Sequence, residues 1–391
     1  MEPWHEVVSE PGSPEPELLR IGKSLNESWR VVPVLPDVQL DLQFLEFILH
    51  FRSGHLNLQI SDRLKEGSLQ EGSVNLLQFS RTGADRRIGL VEGDSVIDLS
   101  QSSSGAFSSW PALLQAVEAE GTEITEFILQ KSDRMSSSLT LASLLGGRQD
   151  RPPFLLPPVE AAEVWGCGVT YLRSRDARED ETLVKGIYDR VYESERPELF
   201  FKGNPRTVVA HNEAIGIRED SSWNVPEPEL AFVLGVDGEI IGLTAGNDVS
   251  SRDIERQNPL YLPQAKIYDR SCSLGPTLLV GRRQQADLGI SMAVIRDGAE
   301  VFQASTRTSR MKRSLDELRS HLLRCNSVPP LSVCLTGTGI VPPDDFTLQE
   351  EDRVEIELEK VGKLVNEVVK VRMRIPPRNP EERRNLEAYS G

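Results

Sequence analysis

The sequence predicts an α+β, β-rich fold, a sandwich or roll preceded by a small N-terminal domain. Short β-branched runs dominate from residue 162 to the end, with few helical stretches between them. A proline-punctuated stretch, RPPFLLPPVE, marks a boundary near residues 150–160. Ahead of residue 73 the chain is acidic and proline-rich at first and polar at its end. The expected division is a poorly ordered N-terminal extension over 1–72, a small domain over 73–157 and a larger domain over 158–391.

The elements follow in order. Within 1–72, MEPWHEVVSEPGSPEPELL has the composition of a disordered segment, the apolar run Leu40 to Leu58 has no partner pattern, and Ser61 to Ser73 reads as a linker. A true start near Val74 is one reading of this segment. Regular structure begins there: NLLQFSR and RRIGLVEGDSVIDLS are short alternating runs separated by glycine-containing turns, a hairpin-like pattern. Trp110 to Glu120 has helical periodicity, and Ile124 to Lys131 continues as a second short helix. From Ala162, AEVWGCGVTY is a strand-like run, and Arg173 to Glu195 reads as a helix with one glycine interruption. Strand-like runs follow: ELFFKG, TVVA, EAIGI, ELAFVLG, EIIGLTAGN, TLLVG, SMAVIRDG and EVFQAS. Met311 to Cys325 is an amphipathic helix with Leu315, Leu318, Leu322 and Leu323 on its apolar face. VCLTGTGIVPP, RVEIELEKVG and LVNEVVKVRMRI close the chain, and no internal repeat stands out.

Composition narrows the function. A net charge of -16 disfavours a nucleic-acid or acidic-membrane partner, because phosphate binding needs a basic stripe. A small anionic substrate stays compatible, since a few local cations decide that. No apolar run approaches the ~20 residues of a membrane span, and Met1-Glu2-Pro3 opens no signal-peptide pattern. Cys167, Cys272, Cys325 and Cys334 show no CxxC spacing, which disfavours zinc and a disulfide framework. A cytoplasmic location is expected.

Chemistry concentrates between Trp223 and Lys266. In NVPEPELAFVLG, Glu227 and Glu229 are two apart and share one face of a strand. The Asp237-Gly238 turn returns the chain as a second strand ending at Asp248, so a hairpin brings the three carboxylates together. An isolated Glu-x-Glu is most often a solvated strand face; the paired Asp248 favours a cation site instead. All-oxygen ligation suits Mg²⁺, Mn²⁺ or Ca²⁺. Arg252 and Lys266 are candidates for a substrate carboxylate, and Lys266 for a base if its pKa is lowered. Thr338, in the Thr336-Gly337-Thr338-Gly339 turn, can bind a substrate oxygen. Thr170 and Tyr171 sit at a strand-to-helix junction, and Glu198 and Lys202 share a side if PELFFK is extended; Thr170, Tyr171 and Lys202 join Arg252 as candidate substrate contacts. No histidine lies between His55 and His211, so a local Cys167-His pair is unsupported.

These residues, in this order, resemble the fumarylacetoacetate hydrolase superfamily from about Val74 to the end. The agreement is strongest between Val164 and Pro276, through the segment Asn247-Asp248-Val249-Ser250-Ser251-Arg252-Asp253, and again at LTGTGIVPP. The resemblance implies a β-sandwich roll around a Mg²⁺ or Mn²⁺ site, a small N-terminal domain and a homodimer or homotetramer. Hydrolases of the family typically carry a His in the helix after the Tyr; here LRSRDARED has none, and Arg175 and Asp176 occupy the neighbourhood. GVTYLRSRDAR and RPELFFKG resemble instead the 2-keto-3-deoxy-D-arabinonate dehydratase branch. That likeness implies Glu227, Glu229 and Asp248 as metal ligands and Lys266, Glu198 and Thr338 as catalytic or substrate-contacting positions. It implies a small anionic 2-keto acid as substrate, dehydrated to an aldehyde such as 2,5-dioxopentanoate. The alternatives are an acylpyruvate-type hydrolase or oxaloacetate decarboxylase on the same scaffold, and a non-catalytic metal-binding protein.

Overall fold

Strands with apolar residues at successive positions must be covered on both faces, and the centre of this chain is built that way. The computed structural model describes residues 72–373, apart from 138, 184 and 282–286, and the backbone of 18–20 and 31–33. In chain order the strands are β1 (Leu18–Arg20), β2 (Val31–Pro33), β3 (Ser73–Ser80), β4 (Arg87–Glu92), β5 (Ser95–Asp98), β6 (Leu139–Thr140), β7 (Phe154–Leu155), β8 (Val164–Gly168), β9 (Glu198–Gly203), β10 (Val208–Val209) and β11 (Ile215–Arg218). They continue as β12 (Asn224–Val225), β13 (Pro228–Leu234), β14 (Ile240–Asp248), β15 (Ser250–Ser251), β16 (Cys272–Gly281), β17 (Gly289–Arg296), β18 (Ala299–Arg307), β19 (Val333–Leu335), β20 (Arg353–Leu358) and β21 (Gly362–Val371). The α-helices are α1 (Trp110–Glu120), α2 (Ile124–Ser132), α3 (Leu141–Leu145), α4 (Leu172–Glu181), α5 (Ile187–Glu193), α6 (Arg252–Gln257), α7 (Leu262–Lys266) and α8 (Leu315–Leu323).

β1 and β2 pair antiparallel within a separate unit, Met1–Leu64. The rest of the extension expected over 1–72 lies outside the described residues, save Gly72. In the unit Lys65–Gly391 the main sheet runs β6-β5-β4-β3-β16-β14-β13-β19-β8-β9, with β10 beside β16 and β7 beside β3. β3 is hydrogen-bonded to β16, so the strands of residues 73–157 continue the sheet that the later strands build. A second sheet runs β11-β21-β20-β17-β18.

Period-two alternation explains the layers. Leu230, Phe232 and Leu234 of β13 enter a core shared with Ile290, Met292 and Val294 of β17, Val354 and Ile356 of β20 and Leu318 and Leu322 of α8. Ala231 and Val233 point the other way, into a core with Trp110, Leu113 and Phe127 of α1 and α2. The architecture is the expected α+β, β-rich one: helices, main sheet, second sheet. The helix read over 173–195 is two helices, because Gly186 takes φ 79° between them. Helix α8 starts at Leu315, where Ser314 caps it by accepting from the Glu317 amide. No helix among the described residues is long and apolar enough to cross a membrane.

Candidate active site and metal centre

The β13–β14 hairpin assembles the acidic cluster. Its register sets Glu229 opposite Gly246 and Pro228 opposite Asn247. One step further, the Asp248 amide donates to the Glu227 carbonyl at 2.9 Å, and the Asn247 side chain accepts from the Glu227 amide at 3.0 Å. The three carboxylates therefore meet at the open end of one hairpin. Ligand atoms of Glu227, Glu229 and Asp248 lie within 4.8 Å of one another, and all three side chains are buried.

Cations crowd this cluster. Lys266, at the end of α7, donates through Nζ to Glu227 Oε2 and, at 2.8 Å, to Asp248 Oδ2. Lys202, on β9, places Nζ 2.6 Å from Asp248 Oδ1 without the alignment of a hydrogen bond, and donates to the Val249 carbonyl at 3.1 Å. Arg252 donates to Glu181 Oε2 at 2.8 Å and to Glu227 Oε1 at 2.7 Å. Arg178, from α4, bonds Glu227 Oε1 and reaches Glu255 Oε2 at 2.7 Å. Six acids (Glu181, Glu198, Glu227, Glu229, Asp248, Glu255) against four bases (Arg178, Lys202, Arg252, Lys266) leave acids ahead by two.

Electrostatics separates the carboxyls. Burial, with the Asp248 and Glu227 charges added, pushes the Glu229 carboxyl well above the usual range. Burial acts the same way on Glu227, but Lys266, Arg178 and Arg252 outweigh it and hold that carboxyl well below the usual range. Burial alone would lower Lys266; the Asp248 and Glu227 charges hold it above its ordinary value. That is opposite to the lowering a basic lysine needs. Glu198 is pushed up to about 7 by burial and the Glu255 charge, against Lys266 and Arg178.

The cluster fits a hard divalent cation. It offers oxygen donors alone, an excess of acid over base, and Glu229, whose charge is opposed by its like-charged neighbours until a cation relieves them. An ammonium, Lys266 Nζ, already sits between two of the three carboxylates.

A cleft opens over the cluster, and its lining sorts the expected site residues. Glu198, Lys266, Thr338, Glu227, Glu229 and Asp248 all line it. Thr170, Tyr171, Lys202 and Arg252 do not; they stand behind it. Thr170 Oγ1 donates to the Thr336 carbonyl at 2.6 Å, pinning the glycine turn. Tyr171 is buried, and its hydroxyl has no hydrogen-bond partner among the described residues. Thr338 Oγ1 accepts from the Ile340 amide at 3.1 Å, while the Gly337 amide donates to Glu229 Oε2 at 2.6 Å.

Two glycines shape the walls. A methyl group on Gly168 would overlap Glu198 Oε2. Gly337 has φ 90°, and a methyl there would overlap Thr170 Oγ1 and lie 3.0 Å from the Cys167 carbonyl.

Sequence reasoning missed Arg178, Ser174 and Glu255. Arg175 and Asp176, the residues singled out on that helix, pair with each other at the surface. The cleft-facing residues are Ser174 and Arg178, one turn apart. Ser174, Arg178 and Glu181 share one face of RSRDAREDE, but the segment is polar almost throughout and no apolar stripe marks that face as the buried one.

The model of the fumarylacetoacetate (FAA) hydrolase C-terminal family matches residues 164–369. The chain belongs to the fumarylacetoacetate hydrolase family. It is 51% identical over 216 residues to a Haloferax volcanii protein named "Probable 2-keto-3-deoxyxylonate dehydratase", covering 55% of this chain and 74% of that one. It is 41% identical over 236 residues to 2-dehydro-3-deoxy-D-arabinonate dehydratase of Saccharolobus solfataricus, covering 59% and 79%. Among solved structures, 2-keto-3-deoxy-D-arabinonate dehydratase complexed with magnesium and 2,5-dioxopentanoate superposes with a TM-score of 0.63 at 32% identity. That match covers 76% of this chain and all of the other.

Proposed function

We propose that this family member is a Mg²⁺- or Mn²⁺-dependent dehydratase that converts a 2-keto-3-deoxypentonate to 2,5-dioxopentanoate. The observation that carries the reading is one cleft in which an all-carboxylate cation site faces both Glu198 and Lys266. The names of the two relatives and of the solved complex support the reaction and the ion.

Glu227, Glu229 and Asp248 would hold the ion, which when bound supplies Lewis-acid polarisation of the 2-keto group and so acidifies C3. The Gly337–Thr338 turn lines the same cleft, with the Gly337 amide on Glu229. Lys266 and Glu198 would handle the protons: Glu198, as the carboxylate, would take the C3 proton, and Lys266, held charged by Asp248 and Glu227, would give one to the departing C4 hydroxyl, which leaves as water. Glu198, titrating near 7, is suited to moving a proton in either direction at neutral pH. Tautomerisation of the unsaturated product then gives the aldehyde at C5. Thr170, Lys202 and Arg252, expected to contact substrate, act in this reading from behind the cleft by holding the carboxylates and the turn, and the Tyr171 ring, expected there too, packs beside Gly339. Water-activating hydrolysis has less support, because the cleft-facing residues of α4 are Ser174 and Arg178, neither of them a general base.

A cytoplasmic location and a homodimer or homotetramer belong to the same proposal; light scattering on the purified protein tests the assembly. The reaction is tested by ion-stripped protein given 2-keto-3-deoxypentonates and Mg²⁺. Aldehyde formation supports the reading. Pyruvate release from acylpyruvates or oxaloacetate, without dehydration, would replace it.

A further inference from the structure

Helix α4 is seated without apolar burial. The residues it buries are Ser174, Arg178 and Glu181, a polar stripe along one face. Two of the three are charged, and both reach residues of the cation cluster. Glu181 accepts from Arg252 Nη1 with both its oxygens, at 2.8 and 3.1 Å. Arg178 spreads its own fork between Glu227 Oε1 and Glu255 Oε2.

The consequence falls on Glu227. Its Oε1 receives two guanidinium groups, from Arg178 and Arg252. Its Oε2 receives the Ser250 hydroxyl at 3.0 Å and Lys266 Nζ, the same ammonium that touches Asp248. A carboxylate gripped this way cannot turn about its last torsion without breaking charged hydrogen bonds on both oxygens.

The geometry points to Arg178 as a positioning residue for the cation. It fixes Glu227 so that Oε1 is held by the two guanidinium groups and Oε2 is turned towards Asp248, the side on which Lys266 Nζ joins the two carboxylates. Helix α4, remote in sequence from the carboxylate hairpin, thereby becomes part of the metal centre. Arg178 acts by orientation more than by charge, because Glu255 neutralises it at 2.7 Å. This inference rests on the carboxylate cluster being a cation site.

The test is Mn²⁺ binding to ion-stripped, full-length protein, followed by the electron paramagnetic resonance signal of free Mn²⁺, which needs no turnover. The double variant Arg178→Gln, Glu255→Gln removes one positive and one negative charge together, so the net charge of the cluster is kept while the grip on Glu227 is lost. Its Mn²⁺ affinity should fall about tenfold or more, the usual effect of losing a partner that orients a metal ligand. Glu255→Gln alone, which leaves Arg178 on Glu227, should lose far less. Arg178→Lys keeps the charge but not the two-pronged fork and should fall between them. Wild-type affinity in a folded double variant would overturn the inference. If the double variant does not fold, Arg178→Lys decides, and unchanged affinity there overturns it as well. Failure of the wild-type protein to bind Mn²⁺ would instead remove the metal-centre reading itself.

Discussion

Glu198 and Lys266 both line the cleft, and single substitutions separate their proposed roles from metal binding. Lys266→Met should leave Mn²⁺ bound yet lower kcat by about 10²–10⁴, the range expected for losing a proton-transfer group. Equal loss of metal and activity would mean that Lys266 only braces the carboxylates. Glu198→Gln should also lower kcat while stabilising the ion-free protein at pH 8. The sign follows from its carboxyl titrating near 7 in the folded chain, above its unfolded value. Stability is intact below the unfolded pKa and is lost as the pH rises through about 7, when a charge must form in a partly desolvated place. The amide never ionises, so its melting temperature should exceed that of wild type at pH 8 and converge with it near pH 4. Gly168→Ala makes a steric test of the same carboxylate. Because the added methyl would overlap the flexible end of Glu198 rather than backbone, turnover should suffer far more than stability.

At the scale of elements, the hairpin was readable and the helices around the site were less so. Glu227, Glu229 and Asp248 could be joined from sequence because strand alternation and an Asp-Gly turn are local rules. Helix α4 defeats those rules: its inward face is polar, so apolar periodicity marks no buried side. Helices α6 and α7 span only Arg252–Gln257 and Leu262–Lys266, too short for a periodic signal, and their buried residues include Arg252, Glu255 and Lys266. Whether Lys202 and Arg252 face the substrate or stand behind the carboxylates depends on side-chain direction in three dimensions, which spacing does not supply. If α4 is seated by charge pairs, Glu181→Ala should matter disproportionately. Arg252, 1% exposed, would lose the carboxylate to which its Nη1 donates, and the cost should be about 3 kcal/mol in the urea unfolding free energy. A change below about 0.5 kcal/mol, the scale of an ordinary surface substitution, would show that α4 is held by something else.

For the molecule as a whole, the layers were foreseeable and the continuity of the main sheet was not. Runs such as ELAFVLG and TLLVG read as strands, and the structure covers both of their faces. Pairing of β3 with β16 joins segments about 200 residues apart, a long-range choice that no local pattern encodes. The cation should be felt at this scale too. An ion that binds only the folded protein stabilises it by about 2.7 kcal/mol at a hundred times its dissociation constant, so Mg²⁺ should raise the melting temperature and EDTA should reverse the gain. Glu229→Gln should abolish that shift. The most direct measurement of the central claim is a coupled assay for 2,5-dioxopentanoate with purified protein, 2-keto-3-deoxypentonate and Mg²⁺. Aldehyde should form with Mg²⁺, stop with EDTA and return on adding the ion back; no aldehyde from any 2-keto-3-deoxypentonate, with Mg²⁺ bound, would contradict the assignment.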